Sequence, residues 1–236
     1  MIRAVLFDLD GTLLPMDQDL FLKYYFMGIS YSAREYCDPG VFMKHLSMGV
    51  AAMIGNTGTV TNEDAFWSSF TPCGADSRRI LEPVFEKYYA DSFADTRAAC
   101  GFDPASAYTV RTLREMGITT VLATNPLFPR IATEQRIGWA GLDSSDFALV
   151  TTYENISYCK PNPDYYREIV TRLGLLPEEC LMVGNDVSDD MVAHNVGLSV
   201  FLLTPCLINK DNLDVSSYPS GDLHALTDYI ADLVGK

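Results

Sequence analysis

Short runs of apolar residues alternate along this chain with longer stretches that have helical spacing. Continuous apolar runs, without intervening polar positions, are typical of strands that are covered on both faces of a parallel sheet. Five such runs predict strands, at residues 3–8, 119–124, 147–151, 181–184 and 198–203. Helical patterns separate several of these runs, so the order predicts an α/β protein with a doubly wound parallel sheet, a Rossmann-like core.

Two helices of this core have clear start and stop signals. Asp103 and Pro104 predict the beginning of one helix as N-cap and first-turn proline, and Gly117 predicts its end. The second helix begins near Pro163, continues with apolar residues three and four positions apart, and ends at Gly174. Each of these helices lies between two predicted strands, as in a β-α-β protein.

The strand-like runs are absent between residues 15 and 97. Apolar and aromatic residues recur there at helical spacing, as at Leu20, Tyr24, Met27 and at Ile80, Val84, Tyr88. We therefore expect an all-helical domain over residues 15–97, inserted into a core formed by residues 1–14 and 98–236. Residues 204–222 predict an extended loop, followed by a final helix from about Asp222.

Composition agrees with a folded protein and narrows its partners. The chain has 236 residues, of which 48% are apolar and 20% charged, well inside the globular range. Seventeen basic and 31 acidic residues give a formal net charge of −14. A nucleic acid would be repelled by this charge, because such partners are bound through clusters of Lys and Arg. We expect no nucleic-acid partner.

The cysteines and the amino terminus point to the cytoplasm. Six cysteines occur without a Cys-x-x-Cys pair, so neither a zinc knuckle nor a thioredoxin-type motif is present. Only four apolar residues lie between Arg3 and Asp8, too few for a signal-peptide core, and no run of about 18 apolar residues follows. We expect a reduced, cytoplasmic protein that does not bind a membrane; the sequence does not indicate its oligomeric state.

Two aspartates end the first predicted strand, where residues 8–12 read Asp-Leu-Asp-Gly-Thr. In a regular strand Asp8 and Asp10 would point to the same side, and the carboxyl end of a central parallel strand opens into the ligand crevice. Two like charges held close together favour a bound cation, and Mg²⁺ takes oxygen ligands from one or two carboxylates. The pair predicts a magnesium site where one Asp attacks phosphorus and the other moves a proton; the alternative is that both cap a turn.

Two further segments carry residues suited to phosphate. Thr124 and Asn125 follow the second predicted strand, where a hydroxyl and the next backbone N–H can hold phosphate oxygens. Lys160 lies between Cys159 and Pro161 in a loop that two prolines stiffen, so its ammonium can face the phosphate and the nucleophile. Taken singly, the first segment is equally typical of a turn and the lysine of a solvated surface charge.

In this order the motifs resemble those of the haloacid dehalogenase-like superfamily. Its phosphatase members carry Asp-x-Asp-Gly-Thr, then a Thr or Ser after a strand, then a Lys, then an acidic pair. The resemblance covers residues 1–14 and about 98–203. It implies a Mg²⁺-dependent phosphatase acting on a small phosphorylated metabolite, with Asp8 as the nucleophile that forms an aspartyl phosphate and Asp10 as general acid and then base. It also implies that residues 15–97 form a cap that selects the leaving group.

The acidic pair can be placed in two registers within residues 184–190, which read Gly-Asn-Asp-Val-Ser-Asp-Asp. Asp186 and Asp190 have the spacing of four that the family uses, whereas counting back from Gly197 favours Asn185 and Asp189. An amide is a poorer magnesium ligand than a carboxylate. We therefore predict Asp186 as a direct ligand and Asp190 in the water shell, beside Asp8 and Asp10, and keep Asp189 as the rival.

Three related chemistries remain to be compared. Dehalogenases and phosphonatase-type members of the family lack the second aspartate of the first motif, so Asp10 argues for a phosphohydrolase. A phosphomutase would use the same core residues and pass the phosphoryl group to a sugar hydroxyl. A non-catalytic phosphometabolite-binding protein would be expected to have an altered nucleophile, and Asp8 is intact.

Overall fold

In the computed structural model, which describes residues 1–234, six parallel strands form one sheet. Their order is β3-β2-β1-β4-β5-β6. Residues 235 and 236, the end of the predicted core segment, lie outside the described residues. The strands are β1 (Ala4–Phe7), β2 (Thr119–Leu122), β3 (Leu149–Val150), β4 (Cys180–Gly184), β5 (Ser199–Leu203) and β6 (Ser220–Gly221).

Strand β1 lies at the centre of the sheet and is buried on both faces. In its register Leu6 is paired with Val121 of β2 on one side and Met182 of β4 on the other. The chain crosses first towards β2 and β3 and then returns to β4, so the strand order reverses beside β1. Open α/β sheets bind ligands at such a switch point, outside the carboxyl ends of the strands.

The predicted fold class and all five predicted strands are confirmed, with one correction. A sixth strand lies inside residues 204–222, which we predicted as loop. β6 consists of Ser220 and Gly221 and pairs with Leu202 and Leu203 of β5. Its side chains carry no apolar signal because the pairing uses only backbone groups at the edge of the sheet, where one face need not be covered.

Eight α-helices accompany the sheet within residues 1–234. Four lie between β1 and β2: α1 (Gln18–Ala33), α2 (Pro39–Ile54), α3 (Asn62–Ser69) and α4 (Ser77–Asp91). The others are α5 (Pro104–Glu115), α6 (Arg130–Trp139), α7 (Pro163–Leu173) and α8 (Leu223–Val234). No helix among residues 1–234 is long and apolar enough to cross a membrane.

The punctuation of α5 and α7 is as predicted. The Asp103 carboxylate accepts a hydrogen bond from Ala105 N at the start of α5. Gly174 follows α7 in the left-handed conformation, with φ 64°. These local signals were readable because a cap and a stop each depend on one residue and its nearest neighbours.

The insertion, residues 15–97, is helical as predicted, and the structure shows which face of each helix is buried. In α1 the buried side chains are those of Phe21, Tyr25 and Ile29, whereas Tyr24 is 36% and Met27 62% exposed. The helix carries apolar residues on several sides, so spacing alone matches two neighbouring faces equally well. The helix was correctly predicted, and its buried face is decided by the tertiary structure.

Helix α4 was predicted from the same kind of spacing. Leu81, Phe85 and Tyr88 are buried in it, whereas Ile80 and Val84 are only partly buried. Its partners are aromatic side chains of the other helices, which the spacing within one helix cannot reveal.

Aromatic contacts join the insertion to the sheet layer. Phe21 packs edge-to-face against Phe93 and Phe128, with ring centroids 6.1 Å apart in both pairs. Phe93 in turn stacks on Trp139 of α6 at 5.6 Å. One apolar cluster therefore extends from α1 across the boundary at about residue 97. The division into two domains stays a prediction.

Candidate active site

The structure brings all the predicted site residues to one cavity. It has a volume of about 250 Å³ and lies at the carboxyl ends of β1, β2 and β4. Its lining includes Asp8, Asp10, Thr124, Asn125, Lys160, Asp186 and Asp190, together with the rival Asp189. Residues separated by most of the chain meet here because parallel strands end at the same edge of the sheet.

Lys160 is buried beside this cavity and contacts two of its aspartates. The Nζ atom of Lys160 lies 2.8 Å from Oδ1 of Asp8 and 2.6 Å from Oδ1 of Asp190. Burial by itself lowers the pKa of Lys160, but the carboxylates of Asp190 and Asp8 raise it well above its ordinary value. The side chain is therefore a fixed ammonium ion, and the surface-charge alternative is wrong.

Asp190 is held between this lysine and the backbone. Its Oδ2 atom accepts a hydrogen bond from Asp186 N at 3.0 Å, and the side chain is only 1% exposed. A Cβ on Gly184 would lie 2.0 Å from the same oxygen, so only glycine leaves room for the carboxylate. Both oxygens of Asp190 are thus engaged by protein groups.

Asp186 and Asp189 are more open. Oδ1 of Asp186 accepts hydrogen bonds from Ser188 N at 2.8 Å and Asp189 N at 3.0 Å, which closes a tight turn after β4. Oδ2 of Asp189 accepts from Asn125 Nδ2 at 3.4 Å. Burial raises the pKa of Asp189, while the nearby Lys160 acts in the opposite direction. Each of these carboxylates keeps an oxygen that no described side chain holds.

Asn185, part of the rival register, is used in another way. Its Oδ1 atom accepts from Thr12 Oγ1 at 2.9 Å and its Nδ2 atom donates to the carbonyl of Cys206 at 2.7 Å. A side chain on Gly11, whose φ is 85°, would collide with the amide. Asn185 therefore ties together the loops that follow β1, β4 and β5.

The segment that follows β2 is held by hydrogen bonds from two side chains. The carbonyl of Thr124 accepts hydrogen bonds from Thr151 Oγ1 at 2.7 Å and from the Tyr165 hydroxyl at 2.8 Å. Both donors are buried. The Thr124 hydroxyl and the Asn125 backbone are thereby carried on a fixed segment at the cavity wall.

Arg136 belongs to the site and was missed by the sequence analysis. It is fully buried in α6, and its Nη1 atom pairs with Oδ2 of Asp10. Burial raises the pKa of Asp10, and the Arg136 guanidinium partly offsets this. The only signal for it in the sequence is an arginine among the buried positions of a helix, beside Ala132 and Ile137. Because the sequence pattern did not predict α6, this signal was missed.

The charge of the cavity suits a divalent cation. Five aspartates and two lysines line it, which leaves an excess of negative charge. Oδ1 of Asp10 and Oδ1 of Asn125 are buried without a hydrogen-bond partner among residues 1–234. Within the same residues no three His, Cys, Asp or Glu side chains are close enough together to hold a metal. The aspartate carboxylates and the unpartnered oxygen of Asp10 are hard oxygen ligands of the kind that Mg²⁺ takes, one or two at a time, with water in its remaining positions.

Side chains of the insertion form part of the cavity lining. Gln18, Phe21 and Leu22 of α1 line the same cavity as the acidic cluster, together with Phe128. Lys210, from the loop between β5 and β6, also lines it.

Fold and site together define a doubly wound α/β protein with a carboxylate-lined cleft at the switch point of its sheet. Residues 2–197 match the sequence model of the haloacid dehalogenase-like hydrolases, so the chain belongs to this hydrolase family. The resemblance given by the motifs is thus confirmed, as is the prediction of a hydrolytic enzyme.

Curated relatives share most of the chain. A phosphoglycolate phosphatase of Photorhabdus laumondii is 28% identical over 214 residues, which cover 86% of this chain and 80% of the relative. A pyrophosphatase, PpaX of Bacillus velezensis, is 23% identical over 197 residues and is matched over 80% of its length. Among solved structures, a 2-haloacid dehalogenase of Pseudomonas syringae superposes with a TM-score of 0.62 at 20% identity, over 99% of this chain and 100% of that one. This last likeness shows the common fold.

Proposed function

We propose that the protein is a Mg²⁺-dependent phosphatase that hydrolyses a small phosphate monoester through an aspartyl-phosphate intermediate. The observation that carries this proposal is the contact of buried Lys160 with Asp8, with Asp10 lining the same cavity. The family is one of hydrolases, and both relatives described above are named as phosphatases. The six cysteines of this protein are free thiols, and we propose the cytoplasm as the place where it acts.

Asp8 is the nucleophile of the first step. Its Oδ1 atom accepts the hydrogen bond from Lys160, and no side chain among residues 1–234 hydrogen-bonds to Oδ2. Oδ2 attacks phosphorus, the bond from phosphorus to the leaving oxygen breaks, and an aspartyl phosphate forms. A carboxylate nucleophile divides one difficult displacement into two easier ones.

Asp10 moves the protons of both steps. Its raised pKa favours the protonated form that can donate to the departing alkoxide. The resulting carboxylate then accepts a proton from the water that attacks the phosphoaspartate. Inorganic phosphate is released and Asp8 is regenerated.

Three groups hold the phosphoryl oxygens. The Thr124 hydroxyl, the backbone N–H of Asn125 and the Lys160 ammonium lie around the end of β1 on anchored segments. The transferring group spreads its charge over its equatorial oxygens, so fixed donors stabilise the transition state by position and charge.

Asp8, the main-chain carbonyl of Asp10 and Asp186 would hold Mg²⁺, with Asp190 acting through Lys160 and the surrounding water. When bound, the ion neutralises charge on the phosphoryl group. Asp186 is the better candidate than Asn185, because both ends of that amide are already bonded. Asp189 remains the rival of Asp186.

Chelation should therefore abolish turnover. We expect EDTA to remove phosphate release from p-nitrophenyl phosphate and Mg²⁺ to restore it, whereas Ca²⁺ should inhibit because its larger, looser coordination spoils the geometry. Asp186→Ala should raise the Mg²⁺ concentration for half-maximal activity by at least about tenfold, and Asp189→Ala by less. Full activity in chelator would contradict the proposal, and the reverse order of the two variants would assign the ligand role to Asp189.

We also expect the insertion to influence which ester is preferred. Gln18, at the start of α1, is a polar side chain that the insertion contributes to the cavity lining. Gln18→Ala should change the ratio of kcat/KM between two metabolite esters by roughly two- to tenfold, the effect of one hydrogen bond, and leave p-nitrophenyl phosphate nearly unchanged. Lys23→Ala, an exposed position on the same helix, is the control. An unchanged ranking in a panel of phosphorylated metabolites would contradict this role.

A further inference from the structure

Arg136 is a buried charged side chain that the steps above do not use. Its exposure is 0%, and it does not line the cavity, so it cannot touch the substrate. A charge removed from water costs several kcal/mol unless it is paired. Its ion-pair partner is Asp10, which does line the cavity. Arg136 therefore acts on the reaction through side chains that it contacts, and Asp10 is the one with which it forms an ion pair.

The guanidinium is held in one orientation. Its Nε atom donates to the carbonyl of Ala132 at 3.3 Å, and Nη2 donates to Thr133 Oγ1 at 3.4 Å. Its central carbon lies 4.5 Å from the centroid of the Phe128 ring. Because these three contacts hold the planar guanidinium, its remaining donor, Nη1, points in a fixed direction.

This arrangement distinguishes the two oxygens of Asp10. Oδ2 is bound by Arg136, whereas Oδ1 is buried and has no hydrogen-bond partner within the described part of the chain. We propose that Arg136 is a positioning residue, which holds Oδ2 of Asp10 and thereby fixes the carboxyl group of the general acid in one orientation at the cavity wall. The inference rests on the proposed phosphatase function and adds to it the residue that orients the general acid.

The proposal makes a specific kinetic demand. A proton is needed most when the leaving group is a poor one, such as an alkoxide, and least when it is a stable phenolate. A misplacement of about 1 Å can cost about 100-fold in rate. Loss of Arg136 should therefore slow alkyl phosphates selectively, in kcat rather than in KM.

Arg136→Met, Arg136→Lys and Arg130→Met test this with glycerol phosphate and p-nitrophenyl phosphate. We expect Arg136→Met to lower kcat on glycerol phosphate by about 100-fold and on p-nitrophenyl phosphate by less than about fivefold, with KM little changed. Arg136→Lys should recover part of the loss. Arg130, an exposed arginine of the same helix, should be neutral. Equal slowing of both esters would overturn the proposal.

A double-mutant cycle covers the case in which Arg136→Met folds poorly. Asp10→Asn combined with Arg136→Met removes both charges, so this protein should be more stable than Arg136→Met alone and no less active than Asp10→Asn alone. Additive losses in activity, or in the free energy of unfolding, would overturn the proposal. If the wild-type protein turns over neither ester, the proposed function fails instead, and the unfolding cycle still tests the pair.

Discussion

Asp8→Asn is expected to lower turnover to below about 1% of wild type and to abolish formation of the acid-stable phosphoenzyme. An amide is not a useful nucleophile, so the covalent route is lost, and each 1.36 kcal/mol of added barrier costs about tenfold in rate. The fold should survive, because the amide oxygen can still accept the hydrogen bond from Lys160. Phosphate release and acid-quenched labelling measure the two effects.

A matched substitution separates this effect from a general response to Asp→Asn changes. Asp164, a partly exposed residue at the start of α7, pairs with Arg167, and Asp164→Asn should keep near wild-type turnover. Asp8→Asn with wild-type thermal stability and more than about 1% activity would show that Asp8 does not form the intermediate.

Lys160→Met is expected to lower both activity and stability. Removal of the ammonium leaves Asp8 and Asp190 close together in a buried site without their common counter-ion. Breaking a buried ion pair from one side typically costs about 3–5 kcal/mol of folding free energy. The transition state also loses a fixed donor, which in comparable sites costs about 10²–10³ in kcat. Denaturant unfolding and kinetics on several esters should show both losses, the second equally for all esters.

The two losses can be separated by a second substitution. Asp190→Asn in the Lys160→Met background removes one of the repelling carboxylates, so stability should recover in part while activity does not. Lys23→Met, an exposed lysine on α1, should change neither. If Lys160→Met kept wild-type turnover, the ammonium would have no part in phosphate chemistry.

The strands and the ends of the core helices could be predicted because their signals are local. β1 and β4 are buried on both faces, so their continuous apolar runs identify them without reference to the rest of the chain. The site motifs follow strand ends in sequence, and parallel strands bring those ends to one edge. The meeting of Asp8 with Thr124 and Asp186 in one cavity therefore followed from the sequence once the fold class was correct.

Contacts between distant elements could not be predicted in the same way. The inner faces of α1 and α4 are chosen by aromatic partners such as Phe93 and Phe128, and both helices carry apolar residues on more than one side. The role of Arg136 can be recognised only from its contact with Asp10, a residue 126 positions away. In sequence alone it is one charged residue in an unremarkable helix.

The sequence by itself determined where the five main strands lie along the chain and which acids, lysine and hydroxyl line the cleft. Only the tertiary structure decided which charges are paired: Lys160 with Asp8 and Asp190, and Arg136 with Asp10. The physical reason is that the strength of an ion pair depends on the separation of its atoms and on their exclusion from water. Both quantities are set by how helices and strands pack, and neither is a property of the neighbouring residues in the chain.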